Sequence, residues 1–471
     1  MSETSVQEGS RQPELRRVMG PKLLLLFVVG DILGTGVYAL TGEVAGEVGG
    51  AAWAPFLIAF VVATLTAFSY LELVTKFPRA AGAALYTHKA FGIHFLTFLV
   101  AFTVMCSGIT SASTASQAFA DNFVVGLNLG FSDAAVTVVA LCFMAVVALV
   151  NFRGVGESVK TNVVLTLIEL SGLVIIILVG VWVIGRGEGD MDAVVTFETS
   201  DDKSVFIAIT AATSLAFFAM VGFEDSVNMA EETKEPSRIF PKVMLSGLGI
   251  TGTIYILVSI AAVATVPVGE LSEADVPLLL VVEAGIPGLP VSEIFPFITM
   301  VAVANSALIN MLMASRLLYG LAREDVLPRG LGLVHRTRRT PWASILFTTG
   351  IAFGLIIVVS NFMGDDTVDA LGGTTSLLLL GVFTIVNVAV LVLRRQPVDH
   401  HTFRAPTAIP VLGALTCAYL VGPWTGRDTV EYKIGGVLLA LGVVLWVLTW
   451  FWNRGVRAKK TGFRDVDHLG E

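Results

Sequence analysis

The 471-residue chain has little charge: Asp, Glu, Lys and Arg make up 14% of it, whereas hydrophobic residues make up 55% and the mean hydropathy is +0.79. This balance excludes a soluble protein of this size. A helix needs roughly 20 apolar residues to cross the ~30 Å hydrocarbon core of a bilayer, so about twelve crossings would use nearly the whole apolar supply. The composition therefore predicts one membrane bundle without a soluble domain.

Motifs that would indicate an enzyme or an ATP-driven pump are missing. The sequence contains no Gly-Lys dipeptide, and hence no P-loop for ATP phosphates, and it contains neither HExxH nor GxSxG. Its six histidines fall in loops or at the ends of apolar runs, which argues against a histidine proton relay. We expect no catalytic residues and no cofactor, and any transport must be secondary or driven by another chain.

Cysteine is scarce, and the pattern of the three cysteines indicates packing. Cys106, Cys142 and Cys417 lie in apolar runs without CxxC spacing, so we expect buried packing groups and no disulfide or metal site. The segment Gly247 to Gly252 matches GxGxxG, but it lies in an apolar helical run with no preceding strand. We therefore expect helix packing there rather than dinucleotide binding, and no nucleic-acid partner for the chain.

Twelve apolar runs are long enough to be transmembrane helices. They lie at residues 21–46, 52–76, 93–120, 133–151, 160–184, 205–229, 241–266, 291–318, 342–361, 369–393, 408–424 and 433–452. The first 19 residues are polar and lack a signal-peptide pattern, so the first run is expected to remain as a span. An even number of spans places both termini on the same side of the membrane.

Basic residues are distributed unevenly along this pattern of spans. All but four of the 30 lysines and arginines fall in the termini or the even-numbered turns, the exceptions being Arg186, Lys203, Arg427 and Lys433. Carboxylates show the opposite bias. By the positive-inside rule we expect cytoplasmic tails at 1–20 and 453–471, in a multi-pass protein of the plasma (inner) membrane.

Two spans carry residues that weaken a helix at mid-membrane. The first contains Gly34-Thr35-Gly36, and each glycine costs a helix about 1 kcal/mol; the sixth contains Gly222 followed by an acidic pair. Broken backbone is tolerated at this depth only where protein or a watery cavity satisfies it. Paired interruptions in corresponding spans point to the central site of a transporter, although a lone Gly-x-Gly is equally typical of close helix packing.

The two breaks together would suit an α-amino acid. A helix that begins after Gly34 to Gly36 offers N–H groups and a positive dipole end to a carboxylate, and carbonyls freed before each break could hold an ammonium. The breaks occupy corresponding positions if the first ten spans form two five-span halves, at 21–184 and 205–393, followed by two further spans within 408–452.

With this glycine segment, four further stretches resemble the amino acid-polyamine-organocation superfamily, above all its cationic amino acid transporter branch and bacterial proton-coupled amino acid permeases. They are Tyr70-Leu71-Glu72-Leu73 with Pro78-Arg79 and Tyr86; Phe217 to Glu224 continuing through Glu231 to Arg238; Arg316 to Pro328; and Phe403 to Pro406. The resemblance implies an all-α integral membrane fold of twelve transmembrane helices. It comprises an inverted five-helix repeat (5+5) plus two C-terminal helices, with helices 1 and 6 broken and alternating access around a central site.

Carried over residue by residue, the resemblance implies which atoms meet the substrate. Gly34-Thr35-Gly36 would bind its carboxylate, and the carbonyls of Ile32, Phe218 and Val221 would bind its amine. Phe218 would also be an aromatic lid over the ligand, the alternative being an ordinary packing phenylalanine. Polar atoms of the eighth span would support a sodium site or, as we favour, hydrogen-bond between helices; they belong to Asn305, Ser306 and Asn310.

Three acids lie inside apolar spans: Asp31, Glu169 and Glu224. An ionised side chain there costs on the order of 2.5 to 3.5 kcal/mol, so each should face the bundle interior and have a partner or a proton. Proton-coupled relatives carry a lysine where Glu169 aligns, so lysine-based coupling does not match this chain. Glu169 is our first candidate for a carboxyl that is protonated in one conformation and charged in the other. A protonated acid that hydrogen-bonds between helices is the alternative.

Glu224 is the second coupling candidate and Asp31 the third, and either could instead attract a cationic substrate side chain. On an α-helix Asp225 would be turned about 100° from Glu224, so we expect it, like Glu72 at the end of the second span, to have a structural or gating role. Several arginines lie at or after the end of the eighth span. We expect them to anchor the cytoplasmic face, and the alternative is that they form salt bridges of a gate; they are Arg316, Arg323 and the cluster Arg336, Arg338 and Arg339.

The sequence thus predicts a secondary active amino acid transporter rather than an enzyme. Its expected partners are an amino acid, the lipid bilayer and protons, with sodium the less favoured ion. An amino acid/polyamine exchanger and a non-transporting substrate sensor of the same fold remain alternatives. The sequence leaves open which amino acid or amine is carried and what the oligomeric state is.

Overall fold

The computed structural model describes residues 19–78, 82–153, 159–199, 203–230, 233–288, 290–338, 340–363, 366–455 and 461–463. Over these ranges the chain is built from α-helices joined by turns and short 3-10 helices. The one β-bridge in the described residues joins Met19, just before the first span, to Thr233, just after the sixth.

The helices follow the predicted order of spans. The first six spans are formed by α1 (Pro21–Ile32) with α2 (Thr35–Val48), α3 (Trp53–Lys76), α5 (His94–Gly126), α6 (Asp133–Arg153), α7 (Val159–Gly185) and α8 (Val205–Ala216) with the turns that follow it. The other six are α9 (Pro236–Thr265), α12 (Val291–Arg323), α13 (Trp342–Met363), α14 (Thr367–Leu393), α15 (Ala408–Val421) and α16 (Thr429–Gly455). Eleven of these spans are long and apolar enough to cross a bilayer, and α15 is a shorter apolar helix.

The predicted all-helical fold of twelve spans, with the first and sixth broken, is confirmed. α15 has 14 residues, or about 21 Å at 1.5 Å per residue, and a 3-10 turn at Pro423–Thr425 extends it. The division into two five-span halves stays a prediction, and most of the two predicted tails lies outside the described residues.

Within the described residues, three short α-helices lie between the spans and were not predicted. They are α4 (Gly82–Phe91), α10 (Val268–Ser272) and α11 (Pro277–Gly285). α11 begins at a proline, which is well suited to the first position of a helix, and five of its nine residues are buried. Helices of five to ten residues give too short a pattern to stand out beside runs of twenty apolar residues.

The ends of the spans define two faces of the bundle. We call one the basic face, where Pro21, Lys76, Arg153 and Arg323 mark helix ends, and the opposite one the acidic face, where the 366–369 segment lies. The sequence predicts that the basic face is cytoplasmic.

Small residues allow the spans to approach closely. A Cβ atom added at Gly247 would lie 2.6 Å from Val28 of the first span, and one at Gly252 would lie 2.5 Å from the ring of Phe60 in the second. The predicted packing role of this glycine motif is confirmed at these two positions. At Gly249 a Cβ would meet no atom within 4 Å.

The prediction that all three cysteines are buried is wrong for one of them. Cys106 and Cys417 are buried, whereas Cys142 is exposed on the surface of the bundle. Its helix, α6, is peripheral: only Ala140, Met144, Val147 and Asn151 are buried along it. The hydropathy of Cys142 suits a lipid-facing surface as well as it suits a core, so sequence could not separate the two.

Span ten is held at both ends by buried ion pairs. At the basic face Arg394 donates to both carboxylate oxygens of Glu72, at 2.8 and 2.6 Å. At the acidic face Arg427 pairs with Glu431 and donates to the carbonyl of Gly373 at 3.0 Å and to Ser376 Oγ at 2.8 Å. The predicted structural role of Glu72 fits this bidentate pair.

Candidate functional site

The first span breaks at the predicted segment. α1 ends at Ile32, and α2 begins at Thr35 after Gly34, whose backbone angles (φ −40°, ψ −147°) are not helical. No side chain caps the start of α2, so its first N–H groups point out of the helix without a side-chain acceptor. The hydroxyl of Thr35 is buried and has no hydrogen-bond partner in the described residues.

The sixth span departs from an α-helix over a longer stretch than the sequence predicted. α8 ends at Ala216, a 3-10 turn covers Phe217–Met220, and a second one covers Asp225–Met229. Between them Val221 is extended, and Gly222 has φ +120°, a conformation that favours glycine. The whole second half of this span is therefore wound differently from an α-helix.

The two breaks lie against each other. A Cβ at Gly222 would lie 2.6 Å from the backbone oxygen of Asp31, and one at Gly36 would overlap the backbone of Ala219. A Cβ at Gly34 would lie 2.8 Å from Ser306 Oγ of the eighth span. Three glycines thus bring the first, sixth and eighth spans together at one point.

Some backbone groups at the breaks already have partners. Tyr255 of α9 donates its hydroxyl to the Ile32 carbonyl at 2.5 Å, and the N–H of Val221 donates to the Phe218 carbonyl at 3.2 Å. Since a carbonyl oxygen carries two lone pairs, each of these oxygens can still accept one further bond. Sequence analysis missed Tyr255; a tyrosine in mid-span needs a partner for its hydroxyl, and that signal would have found it.

A cavity of about 50 Å³ lies between the breaks and the basic face. It is lined by Val221, Glu224, Asp225, Asn310 and Arg316 among others, but not by the Gly34 to Gly36 segment. In this conformation the cavity therefore reaches the break of the sixth span and not that of the first.

Glu224 and Asp225 both line this cavity. The expected structural or gating role of Asp225 stays a prediction. Glu224 is buried, and its Oε2 accepts the N–H of Gly222 at 2.9 Å. The carboxyl group therefore caps the break itself.

Phe218 lies on the acidic-face side of the breaks. Its side chain is buried, and a Cβ at Gly372 of α14 would lie 3.5 Å from its ring and 3.1 Å from Leu40. The ring thus fills the space between the sixth and tenth spans, on the acidic-face side of the breaks. This position suits a lid and suits a packing residue equally.

Glu169 is fully buried, with 0% of its surface exposed. Neither carboxyl oxygen has a hydrogen-bond partner in the part of the chain that the structure describes. The alternative role, a protonated acid that hydrogen-bonds to another helix, is therefore not observed in that part. Its backbone carbonyl accepts the hydroxyl of Tyr38 at 2.6 Å. Tyr38 and Tyr255 are the tyrosines close enough to interact electrostatically with it, and sequence analysis missed Tyr38 as well.

The remaining predicted polar residues belong to α1 and α12. Asp31 is half-buried at the end of α1, and Asn305 is buried in α12. Asn310 donates to the Ser306 carbonyl of its own helix at 2.9 Å, so the bond observed does not join two helices.

The predicted basic cluster makes local contacts at its face. Arg323 donates to the Tyr319 hydroxyl at 3.1 Å, and Arg338 stacks over the ring of Phe152. These contacts suit anchoring. Arg79, Glu231 and Arg339 lie outside the described residues.

Twelve apolar spans, two of them broken at facing positions, define a multi-pass membrane transporter. A family profile described as "Amino acid permease" matches residues 21–425. The chain belongs to this family, and the predicted superfamily is confirmed.

Similar proteins carry different cargoes, according to their names. A methylthioribose transporter of Bacillus subtilis is 25% identical over 93% of this chain and 94% of its own, and a branched-chain amino acid permease of the same organism is 24% identical over the same shares. Cationic amino acid transporter 9, chloroplastic, of Arabidopsis thaliana is 30% identical over 71% of this chain and 60% of its own.

Proposed function

We propose that the protein takes up an amino acid together with protons by alternating access. The substrate carboxylate would bind the N–H groups of Gly34-Thr35-Gly36, and the amine would bind the carbonyls of Ile32, Phe218 and Val221. Phe218 would close over the ligand on the acidic-face side. The close contact of the two breaks and the uncapped start of α2 support this placement.

The proposal of proton coupling rests on the environment of Glu169. A carboxyl group that is fully buried without a hydrogen-bond partner is unstable when ionised, so Glu169 is expected to hold a proton in this conformation. A conformation that brings water to it would allow the proton to leave. A group that is neutral in one state and charged in the other couples proton movement to transport. Glu224, which accepts the N–H of Gly222, is the second candidate.

The proposed setting is a plasma (inner) membrane with both termini on the cytoplasmic side. The concentration of lysine and arginine on the basic face supports this orientation. The acidic face would then meet the external medium, where the substrate and protons are captured.

Uptake into proteoliposomes tests the proposal directly. A panel of labelled amino acids, together with methylthioribose, is offered with an imposed pH gradient, an imposed sodium gradient or neither. We expect amino acid uptake that the pH gradient drives and the sodium gradient does not. Sodium-driven uptake would contradict proton coupling, and uptake of methylthioribose alone would contradict the substrate class.

Two further outcomes separate the alternatives from the proposal. Counterflow without net uptake would indicate an exchanger of amino acid for amine. Saturable binding without any uptake would indicate a substrate sensor. Both measurements use the same reconstituted protein, so one preparation distinguishes the three functions.

A further inference from the structure

A cavity of about 280 Å³ opens on the acidic face between α2, α5, α12, α14 and the turn that joins α10 to α11. Its carboxyl groups belong to Glu43, Asp121, Glu273, Asp275, Asp366 and Asp369. No lysine, arginine or histidine is among its described lining residues. We call this cavity the acidic chamber. Carboxylates in a cleft with low-dielectric walls raise the local concentration of cations, protons included.

The neighbouring cavity, of about 220 Å³, differs in charge although it shares Asp366 and Asp369 with the acidic chamber. Its two cationic residues are already paired, Lys203 with Glu47 at 2.8 Å and Arg427 with Glu431. Both cations line that neighbouring cavity, and neither is among the residues that line the acidic chamber.

One buried side chain of the acidic chamber has an unused acceptor. Asn122 is 3% exposed and lines the chamber, and its Oδ1 has no hydrogen-bond partner in the described residues. Its Nδ2 donates to the Ala118 carbonyl at 2.8 Å, so the orientation of the amide is fixed. A buried carbonyl oxygen that faces a polar cavity is satisfied by water or by a cation.

Tyr38 connects this chamber to Glu169. It lines the chamber, and it is the one described residue there whose side chain also hydrogen-bonds to Glu169, through the 2.6 Å bond to the backbone carbonyl. The ring is 3% exposed and packs against Phe295 with 6.3 Å between ring centroids. Gly172 makes room for the hydroxyl, since a Cβ there would lie 2.5 Å from it.

Residues of five helices lie against α7, the helix that carries Glu169. Around Glu169, α2 presents Tyr38 and α9 presents Tyr255. Three other helices pack on α7: α1 brings Gly30 to Thr166 and carries the half-buried Asp31 next to it, α12 brings Ile298 to Gly172, and α11 brings Gly285 to Val179.

We infer that Tyr38 is the gate of an aqueous route from the acidic chamber to Glu169. When its hydroxyl leaves the Glu169 carbonyl, the ring can move toward the chamber and water can reach the carboxyl. The chemical step at the end of the route is a proton transfer: a hydronium ion from the chamber loses one O–H bond and becomes water, and a carboxylate oxygen of Glu169 gains the proton. Its use in transport rests on the proposed coupling role of Glu169, but its existence does not.

Carbodiimide labelling measures access to Glu169 without any transport assay. A water-soluble carbodiimide adds to a protonated carboxyl, and glycinamide then displaces the urea to leave an amide that mass spectrometry locates by residue. The purified full-length protein is labelled at one pH, with the chamber acids as an internal reference for exposed carboxyls. We expect the chamber acids to react fast and Glu169 slowly.

Variants of the gate should change the labelling of Glu169 in a fixed order. Tyr38→Phe keeps the ring and loses a hydrogen bond worth about 1 kcal/mol, which corresponds to about fivefold faster labelling. Tyr38→Ala removes the ring and should accelerate labelling by more than tenfold. Gly172→Ala, which displaces the hydroxyl, should act in the same direction as Tyr38→Phe.

Tyr255→Phe is the matched control, because it removes a hydroxyl near Glu169 that faces the Ile32 carbonyl instead of the chamber. In this variant Glu169 should be labelled at the same rate as in the wild type. Size-exclusion profiles and thermal unfolding check that each variant is folded, and Tyr38→Phe keeps the test decisive if Tyr38→Ala is unstable.

Three outcomes would overturn the gate. They are equal labelling of Glu169 in the wild type and both Tyr38 variants, faster labelling in Tyr255→Phe than in Tyr38→Phe, and, in membrane vesicles of known orientation, labelling from the basic face alone. Failure of the coupling role alone would give a different result. Glu169→Gln would still show proton-driven uptake, while Glu169 would still be labelled faster in the Tyr38 variants than in the wild type.

Discussion

A single methyl group added at each glycine of the two breaks should destabilise the protein in a fixed order. Gly34→Ala places its Cβ 2.8 Å from the hydroxyl of Ser306, and because that hydroxyl can rotate away we expect a cost of about 1 kcal/mol. Gly36→Ala meets the backbone of Ala219, which cannot rotate away, so overpacking of about 1 to 3 kcal/mol is expected.

Gly222→Ala should be the most damaging of the three. Its Cβ would lie 2.6 Å from the Asp31 backbone oxygen, and its φ of +120° is strained for any residue with a Cβ. Strain of about 1 to 3 kcal/mol adds to overpacking of about 1 to 3 kcal/mol, which gives a total of about 2 to 6 kcal/mol.

Gly249→Ala is the matched control for these substitutions. It lies inside α9, and its Cβ would meet no atom within 4 Å, so we expect no loss and a gain of up to about 1 kcal/mol from helix propensity. Unfolding of the purified variants by sodium dodecyl sulfate, followed by circular dichroism, gives the four free energies. If Gly222→Ala were as stable as Gly249→Ala, the contact between the two breaks would be refuted.

Three further single substitutions and one double variant test the site and its supports. Gly36→Leu should abolish substrate binding by filling the break, and wild-type affinity in an equilibrium binding assay would refute the carboxylate site. Glu169→Gln should keep substrate binding but lose the rise in uptake as the pH falls, because an amide cannot take up the proton; unchanged pH dependence would remove Glu169 from the coupling role. Glu72→Gln leaves Arg394 buried without its carboxylate, so we expect a loss of about 3 to 5 kcal/mol in unfolding free energy. The double variant Glu72→Leu with Arg394→Met should recover most of that loss, and equal stability of Glu72→Gln and wild type would show that the ion pair is not a support.

The spans and the breaks could be predicted because each follows from a local property of the sequence. Twenty apolar residues suffice for a crossing, and the segment Gly34 to Gly36 weakens a helix wherever it lies. The winding of the sixth span beyond its break could not be predicted in the same way. Its 3-10 turns at Phe217–Met220 and Asp225–Met229 depend on packing against the first span.

The two tyrosines near Glu169 show a second limit of sequence reasoning. Tyr38 and Tyr255 lie 131 and 86 positions from Glu169, counted from the residue numbers, and belong to different helices. Local patterns carry no information on contacts at that separation. The rule that a buried hydroxyl needs a partner predicts that each tyrosine is bonded, and only the packing of α2, α7 and α9 determines to what.

The buried charges of this bundle fall into two groups that differ in how well they are satisfied. Glu72 and Arg394 satisfy each other, and the backbone N–H of Ala405 donates a further bond to Glu72 at 3.0 Å. Arg427 is bonded to Glu431, to three backbone carbonyls and to Ser376.

Glu169 belongs to the other group, since both of its carboxyl oxygens lack a partner among the described residues. Breaking a saturated ion pair costs several kcal/mol, so those pairs resist movement and hold α14 in place. A carboxyl group without a hydrogen-bond partner is stabilised by any conformation that supplies water or a donor. We therefore expect conformational change around Glu169 and the breaks beside it, while α14 stays in place.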